Sequence, residues 1–240
     1  IDIVLTPTKR ANTIILDRVT GKPIFEFRLR KVPTSKIKGE KTSPYQPDLA
    51  IPEPFGYNEF FKNDFWSYDN EKLNDIYSKY KDHKVGFYNT YELNKKNLQY
   101  NFNGGAEWMG ASVDHSKQIM YVTSNNIPWE TSVEQIEDKS TKIPYYSSSF
   151  QRALDDLDFP ITKPPWGTIT SINLNTGKII WQIPFGEYKY LAEKGVEATG
   201  TENFGGVTGT EGGILIATGT LDKKLYVYNS LDGSELYSYE

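Results

Sequence analysis

Asn173-Leu174-Asn175-Thr176-Gly177-Lys178-Ile179-Ile180-Trp181 is the stretch that decides the fold. The β-branched run Thr168-Ile169-Thr170-Ser171-Ile172 leads into it, an asparagine opens a short turn, and glycine supplies a positive φ. A second apolar run then carries an aromatic residue, which together is the chemistry of a β-hairpin. The same spacing recurs at Asp17-Arg18-Val19-Thr20-Gly21-Lys22-Pro23-Ile24-Phe25 and at Asn229-Ser230-Leu231-Asp232-Gly233-Ser234-Glu235-Leu236-Tyr237. Each copy has Asp or Asn, glycine four residues later, and an aromatic four residues after the glycine. One such hairpin is commonplace, but three in register are a repeat.

Working outward, Gly110 to Asp114 followed by Gln118 to Thr123 reads as a further hairpin. Gly206 to Thr210, a turn at Glu211-Gly212-Gly213, and Ile214 to Thr218 read as another. Joined to the hairpins that follow them, they make units of four antiparallel strands, the signature of propeller blades. The expected fold is all-β, a two- to three-blade segment of a β-propeller with Pro-rich and short helical insertions. Residues 1–30 then end one blade with about three strands, 31–104 form an insertion and lead-in, 105–184 a second blade containing an insertion at 127–166, and 204–240 a third. Within 31–104 the spacing of Phe61, Phe65, Leu73, Ile76, Tyr77 and Tyr80 predicts helix between Asn58 and Lys84. Within 127–166 a short helix is expected from Ser147 to Leu157. Such long insertions either build the rim of a binding face or are inert.

Composition narrows the function. Charged residues are 24% of the 240 residues and the net charge is −4 with signs interspersed, which argues against a nucleic-acid partner. The 17 Tyr, 12 Phe and 5 Trp favour pleated surfaces. Without cysteine there are no disulfides or thiolate metal sites. His83 and His115 sit in charged or turn contexts and read as solvated. Asp155-Asp156-Leu157-Asp158 reads as a helix-end charge cluster.

With these segments in hand, the chain resembles the PQQ-dependent quinoprotein dehydrogenases, especially the glucose-dehydrogenase type, along nearly its whole length. The resemblance rests on Thr8-Lys9-Arg10 before Ile15 to Pro23, on Thr42-Ser43-Pro44-Tyr45-Gln46-Pro47, and on Gly104-Gly105-Ala106-Glu107-Trp108. It continues through Pro164-Pro165-Trp166-Gly167, the Asn173 to Trp181 repeat, and Thr201-Glu202-Asn203-Phe204-Gly205-Gly206. It implies an eight-bladed propeller holding pyrroloquinoline quinone (PQQ) and, in the complete enzyme, Ca²⁺ near its axis. It also implies cofactor-binding roles for Lys9, Glu107, Trp108 and Phe204. Lys9 would reach the quinone oxygens, where a cation stabilises developing negative charge. Read without the resemblance, a lone lysine before a strand is a solvated charge. Glu107-Trp108 takes the place of a polar-Trp pair beside the cofactor. Phe204 stands where some relatives carry Trp, keeping the flat surface without the indole donor. Gly205 and Gly206 are also explained by close backbone approach. Trp181, Phe25 and Tyr237 are assigned to packing between blades.

In the family the catalytic aspartate and the calcium ligands lie before the matched region, so no catalytic residue and no metal ligand is assigned in this chain. The resemblance implies part of a dehydrogenase that oxidises a sugar or alcohol and passes electrons to a quinone or cytochrome acceptor. It would work in the periplasm, with anchoring to the inner membrane by an N-terminal region. Both ends read as interior strand, so the chain is expected to be the C-terminal part of such an enzyme, inactive and poorly soluble alone. A non-catalytic propeller scaffold needs the repeats without Lys9 or Glu107-Trp108. A carbohydrate-binding β-domain accounts for the aromatics without the ordered motifs.

Overall fold

The computed structural model describes residues 1–137, 140 and 142–240. Strands β1 (Ile3–Pro7) and β2 (Thr13–Asp17) pair antiparallel, and β3 (Leu29–Lys31) and β4 (Tyr45–Pro47) form a short ribbon. Helix α1 (Asn70–Tyr80) and β5 (Lys96–Tyr100) follow. Next come β6 (Ala111–Asp114), β7 (Ile119–Asn125), β8 (Pro128–Gln135), β9 (Tyr145–Arg152), β10 (Gly167–Asn173) and β11 (Ile179–Pro184). After the short α2 (Lys189–Glu193), the chain ends in β12 (Val207–Gly209), β13 (Ile214–Ala217), β14 (Leu225–Asn229) and β15 (Glu235–Tyr239). Two four-stranded antiparallel sheets result, ordered β6-β7-β10-β11 and β12-β13-β14-β15, with a third sheet ordered β5-β8-β9.

The central strands of the β6-β7-β10-β11 sheet, β7 and β10, are buried on both faces. From β7 and β10, Tyr121 and Ile169 pack with Leu215, Ala217, Tyr226 and Tyr228 of the last sheet. Their neighbours Met120, Val122 and Ile172 turn the other way, onto Ile15, Ala11 and Phe55. Alternation along each strand dictates this division. Opposite Ser171 and Ile172 the register shifts, so Trp181 faces Ser171 while Ile179 faces Ile172. That bulge sends Trp181 and Ile179 into opposite cores.

The repeated turns are built alike. Asn173 Oδ1 accepts from the amides of Asn175 and Thr176 (2.9 and 3.1 Å), and Asp17 Oδ1 from Val19 and Thr20 (2.9 and 2.7 Å). Asn229 Oδ1 accepts from Leu231 (2.9 Å). Gly177 and Gly233 have φ of 69° and 73°. Each also receives an aromatic ring: a Cβ on Gly233 would lie 2.9 Å from Trp181, and one on Gly177 3.4 Å from Phe25. Trp181 further donates to the Ser230 carbonyl (3.2 Å). The turn glycine of one unit is therefore the seat for the aromatic of the preceding one. Tyr237, at the third such position, is 56% exposed.

Several expectations change. Residues Ser147 to Arg152 lie in strand β9, because serines are weak helix formers and the segment pairs with β8. Phe150 stacks on Trp129 there, with centroids 5.1 Å apart. The part of the 127–166 insertion at residues 138, 139 and 141 lies outside the described residues. Asp155 to Asp158 form a turn, in which Asp155 Oδ1 accepts from Leu157 and Phe159 (both 2.9 Å), and Asp156 pairs with Lys72 at 2.8 Å. Helix between Asn58 and Lys84 narrows to α1 and a single 3₁₀ turn at Lys62–Asp64, since Asp69 caps α1 by accepting from Glu71 (2.9 Å). Residues 1–30 contribute β1, β2, a bridge between Leu16 and Pro23 and the first two residues of β3.

His83, expected in solvent, is enclosed, while His115 is exposed. His83 Nε2 meets Glu130 Oε2 at 2.7 Å, and Glu130 Oε1 also accepts from Lys96 (2.8 Å) and Gln151 (3.0 Å). Glu130 is 2% exposed, a burial that favours pairing over solvation. These donors hold its carboxyl down at about 2, from an ordinary 4.5. A depressed carboxylate contributes stability that is complete above the unfolded-state value and is lost as pH falls through the folded one. Acid titration of full-length protein is expected to lower the melting temperature between pH 4.5 and about 2, and Glu130→Gln to remove that component. A second expectation concerns packing. Gly233→Ala adds a Cβ against Trp181 at a positive φ and should destabilise by about 2 kcal/mol. Gly212→Ala, whose Cβ meets nothing nearer than 3.8 Å, should leave the midpoint unchanged.

Candidate functional site

Strand β7 ends at Asn125, and this side chain draws three distant segments together. Gly105 N donates to the Lys9 carbonyl (2.8 Å) and Asn125 N to the Gly105 carbonyl (2.9 Å). Asn125 Nδ2 donates to Glu107 Oε1 (2.9 Å) and to the Asn203 carbonyl (2.8 Å). Asn125 Oδ1 accepts from Asn203 N (2.9 Å) and Asn203 Nδ2 (3.0 Å). Asn125 is 4% exposed and Asn203 fully buried, so each bond replaces water that neither amide can reach. Beneath them Ser124 and Thr168 hydroxyls meet at 2.7 Å.

Lys9, Glu107 and Phe204 thus lie along one edge of the sheets. Lys9 is exposed, its ammonium 5.7 Å from the centre of the Phe102 ring, with no ion pair among the described residues. Burial raises the Glu107 carboxyl above the ordinary range; the Asn125 hydrogen bond opposes this, the negative charge of Glu202 adds to it, and Lys9 counteracts it. Phe204 is 44% exposed and is tied by its amide to the Gly219 carbonyl (3.0 Å). Trp108 does not join the group. It stands 95% exposed beside Met109, which lies against Gly206, where a Cβ would be 2.8 Å from that of Met109. At Gly205 a Cβ would run into the Thr218 carbonyl, so glycine is demanded by backbone approach.

This edge offers a cation, a half-buried carboxyl and a partly exposed aromatic face. Asn203 Oδ1 is buried with no hydrogen-bond partner among the described residues. That set fits one side of a planar, polar, electron-accepting cofactor. It does not fit calcium: no three His, Asp or Glu among the described residues stand close enough to hold a metal ion, whereas Ca²⁺ takes six to eight oxygens. Sequence reading missed Asn125 and Asn203, because an Asn run such as Asn125-Asn126 after a strand looks like a solvated loop. Their position in the core, not their type, makes them structural.

The profile of the PQQ family described as "Glucose/ethanol/alcohol dehydrogenase, beta-propeller domain" matches residues 1–240. The chain is 26% identical over 261 residues to a probable quinate dehydrogenase (quinone) of Xanthomonas campestris pv. juglandis, covering 98% of this chain and 33% of that protein. It is 25% identical over 270 residues to the glycerol dehydrogenase large subunit of Gluconobacter thailandicus, covering 98% and 36%. Quinoprotein glucose dehydrogenase A of Acinetobacter calcoaceticus is 22% identical over 261 residues, with 96% and 32% covered. The chain therefore spans about a third of the length of these curated relatives. Among solved structures, a quinohemoprotein alcohol dehydrogenase from Pseudomonas putida HK5 superposes with a TM-score of 0.50 at 14% identity, over 99% of this chain and 28% of that one. This last likeness concerns the fold alone.

Asn125→Ala leaves the Asn203 amide and the Glu107 carboxyl without their shared partner. About 2 kcal/mol of stability should go, visible as a lower thermal midpoint of the full-length protein. Asn175→Ala, in an exposed turn, should leave the midpoint in place.

Proposed function

This chain belongs to the PQQ family of glucose/ethanol/alcohol dehydrogenase β-propeller domains, and from that premise we propose that it forms part of a periplasmic PQQ-dependent dehydrogenase that oxidises a sugar or other polyol. The observation that supports this most is the hydrogen-bonded junction at Asn125, whose side chain bonds Glu107 and Asn203, the residue before Phe204, and whose backbone amide meets Gly105, which in turn bonds the Lys9 carbonyl. In this reading residues 1–30, 105–184 and 204–240 are the end of one blade and two further blades. The exposed outer face of the last sheet, with Ile214, Ile216 and Tyr237, packs against the rest of the propeller. The substrate classes in view are those of the relatives: quinate, glycerol and glucose.

When bound, PQQ supplies a hydride acceptor. Lys9 would direct its ammonium towards the bound cofactor, where a cation stabilises developing negative charge. Phe204 closes one apolar side of the site and restricts water there. Glu107 is held by Asn125 in one orientation, with its proton affinity raised by burial. Its carboxyl is thereby a hydrogen-bonding group of fixed direction. The substrate proton passes to a base outside this chain, and the electrons to a quinone or cytochrome acceptor.

The test is reconstitution of the full-length protein with PQQ and Ca²⁺, followed by dye-linked oxidation of quinate, glycerol and glucose. Oxidation of at least one is expected, with kcat falling roughly a hundredfold in Lys9→Ala. Equal activity in wild type and variant removes Lys9 from the mechanism. Absence of PQQ-dependent turnover of any polyol overturns the reading.

A further inference from the structure

Arg152, the last residue of β9, stands apart from the group around Asn125. Its Nε donates to Oε2 of Glu202 (2.7 Å), and its guanidinium carbon lies 5.0 Å from the centre of the Trp129 ring. Both partners are 5% exposed, so the guanidinium is fixed from two sides, while the Arg152 side chain remains 40% exposed. Guanidinium has five N–H donors in a rigid fork. Nε uses one, and the two terminal NH₂ groups have no acceptor among the described residues. Arg152 lines an open surface cavity of about 650 Å³ together with Asn103, Trp129, Phe150, Gln151 and Tyr80.

This cavity adjoins the site already described. The Phe102 ring lies 4.4 Å from Phe150 on one side and 5.7 Å from the Lys9 ammonium on the other. Glu202, which pins Arg152, directly precedes Asn203 and Phe204. Of the charged residues around the cavity, Lys79 adds a second cation and Asp158 is the acid, while the charge of Glu202 is met by Arg152 itself.

We propose that Arg152 determines substrate specificity: its free edge receives the carboxylate of a small hydroxylated acid, at the far end of the Phe102-Phe150-Trp129 strip from Lys9. The inference rests on the dehydrogenase reading above and narrows its substrate class. A carboxylate matches two parallel guanidinium N–H groups in one plane, and such bidentate pairs are stronger than neutral hydrogen bonds. An exposed arginine ordinarily loses side-chain entropy on binding; here the stack on Trp129 and the bond to Glu202 have already ordered it. If Arg152 merely tied the β8-β9 hairpin to the segment before Phe204, a lysine would maintain the ion pair and do the same work.

The experiment uses the full-length protein with quinate and its methyl ester as probes, titrated by calorimetry with and without PQQ and Ca²⁺. Wild type is expected to prefer the acid. In Arg152→Gln that preference should fall roughly 30-fold, appearing in turnover as a raised KM for the acid with kcat little changed. Arg152→Lys, which keeps the charge and the fold but not the fork, should recover less than a third of the preference. Equal losses for acid and ester, full recovery in Arg152→Lys, or a wild type without preference each overturn the proposal. PQQ itself carries carboxylates; a loss of PQQ affinity with an unchanged acid preference assigns the fork to the cofactor and overturns it as well. Arg152-dependent acid binding without any PQQ-dependent turnover leaves the specificity role standing and sinks the dehydrogenase reading instead.

Discussion

The central strands β7 and β10 of the β6-β7-β10-β11 sheet have no solvent-facing side. Tyr121 and Ile169 point one way, Met120, Val122 and Ile172 the other, and all five are at most 1% exposed. A sheet of this kind must be covered on both sides. The last sheet covers one side and the β1-β2 hairpin with Phe55 covers the other. The bulge opposite Ser171 and Ile172 makes the arrangement possible at the edge, because without it Trp181 and Ile179 would share a face. Stacking of sheets through shared apolar faces, rather than closure within any one of them, holds the chain together.

Where the strands of that stack end, backbone groups lose their ladder partners, and side-chain amides take over. Asn125 serves Glu107 and three groups of Asn203, while Ser124 and Thr168 satisfy each other. The candidate site is thus a by-product of a packing necessity: the amides that finish the strands also set the direction of the Glu107 carboxyl and tie it to the segment just before Phe204, while the Gly105 amide holds the Lys9 carbonyl. Burial raises the Glu107 proton affinity for the same reason that it makes the hydrogen bonds obligatory.

The excursion between β7 and β10 builds its own small core instead of hanging free. Its hairpin pairs with β5, Glu130 is enclosed by His83, Lys96 and Gln151, and the aromatic series Phe102, Phe150 and Trp129 runs from Lys9 to Arg152. Two cations therefore sit at the ends of one apolar strip. Cations lie favourably against aromatic faces, and each ring that excludes water strengthens the charges beside it.

What the sequence alone determined was local: three turns with Asp or Asn and glycine at a constant interval, the aromatic seated four residues on, and the alternation of apolar residues on the flanking strands. These features depend on φ preference, short-range hydrogen bonds and side-chain period, all of which are written within about ten residues. Lys9, Glu107 and Phe204 could be named because ordered motifs surround them. The tertiary structure alone decided that Ser147 to Arg152 is a strand, since weak local preference yields to pairing with β8. It alone turned His83 inward onto Glu130 and made Asn125 a hub. A polar residue carries no local mark of its burial, so its partners are settled when distant segments meet and water is excluded from between them.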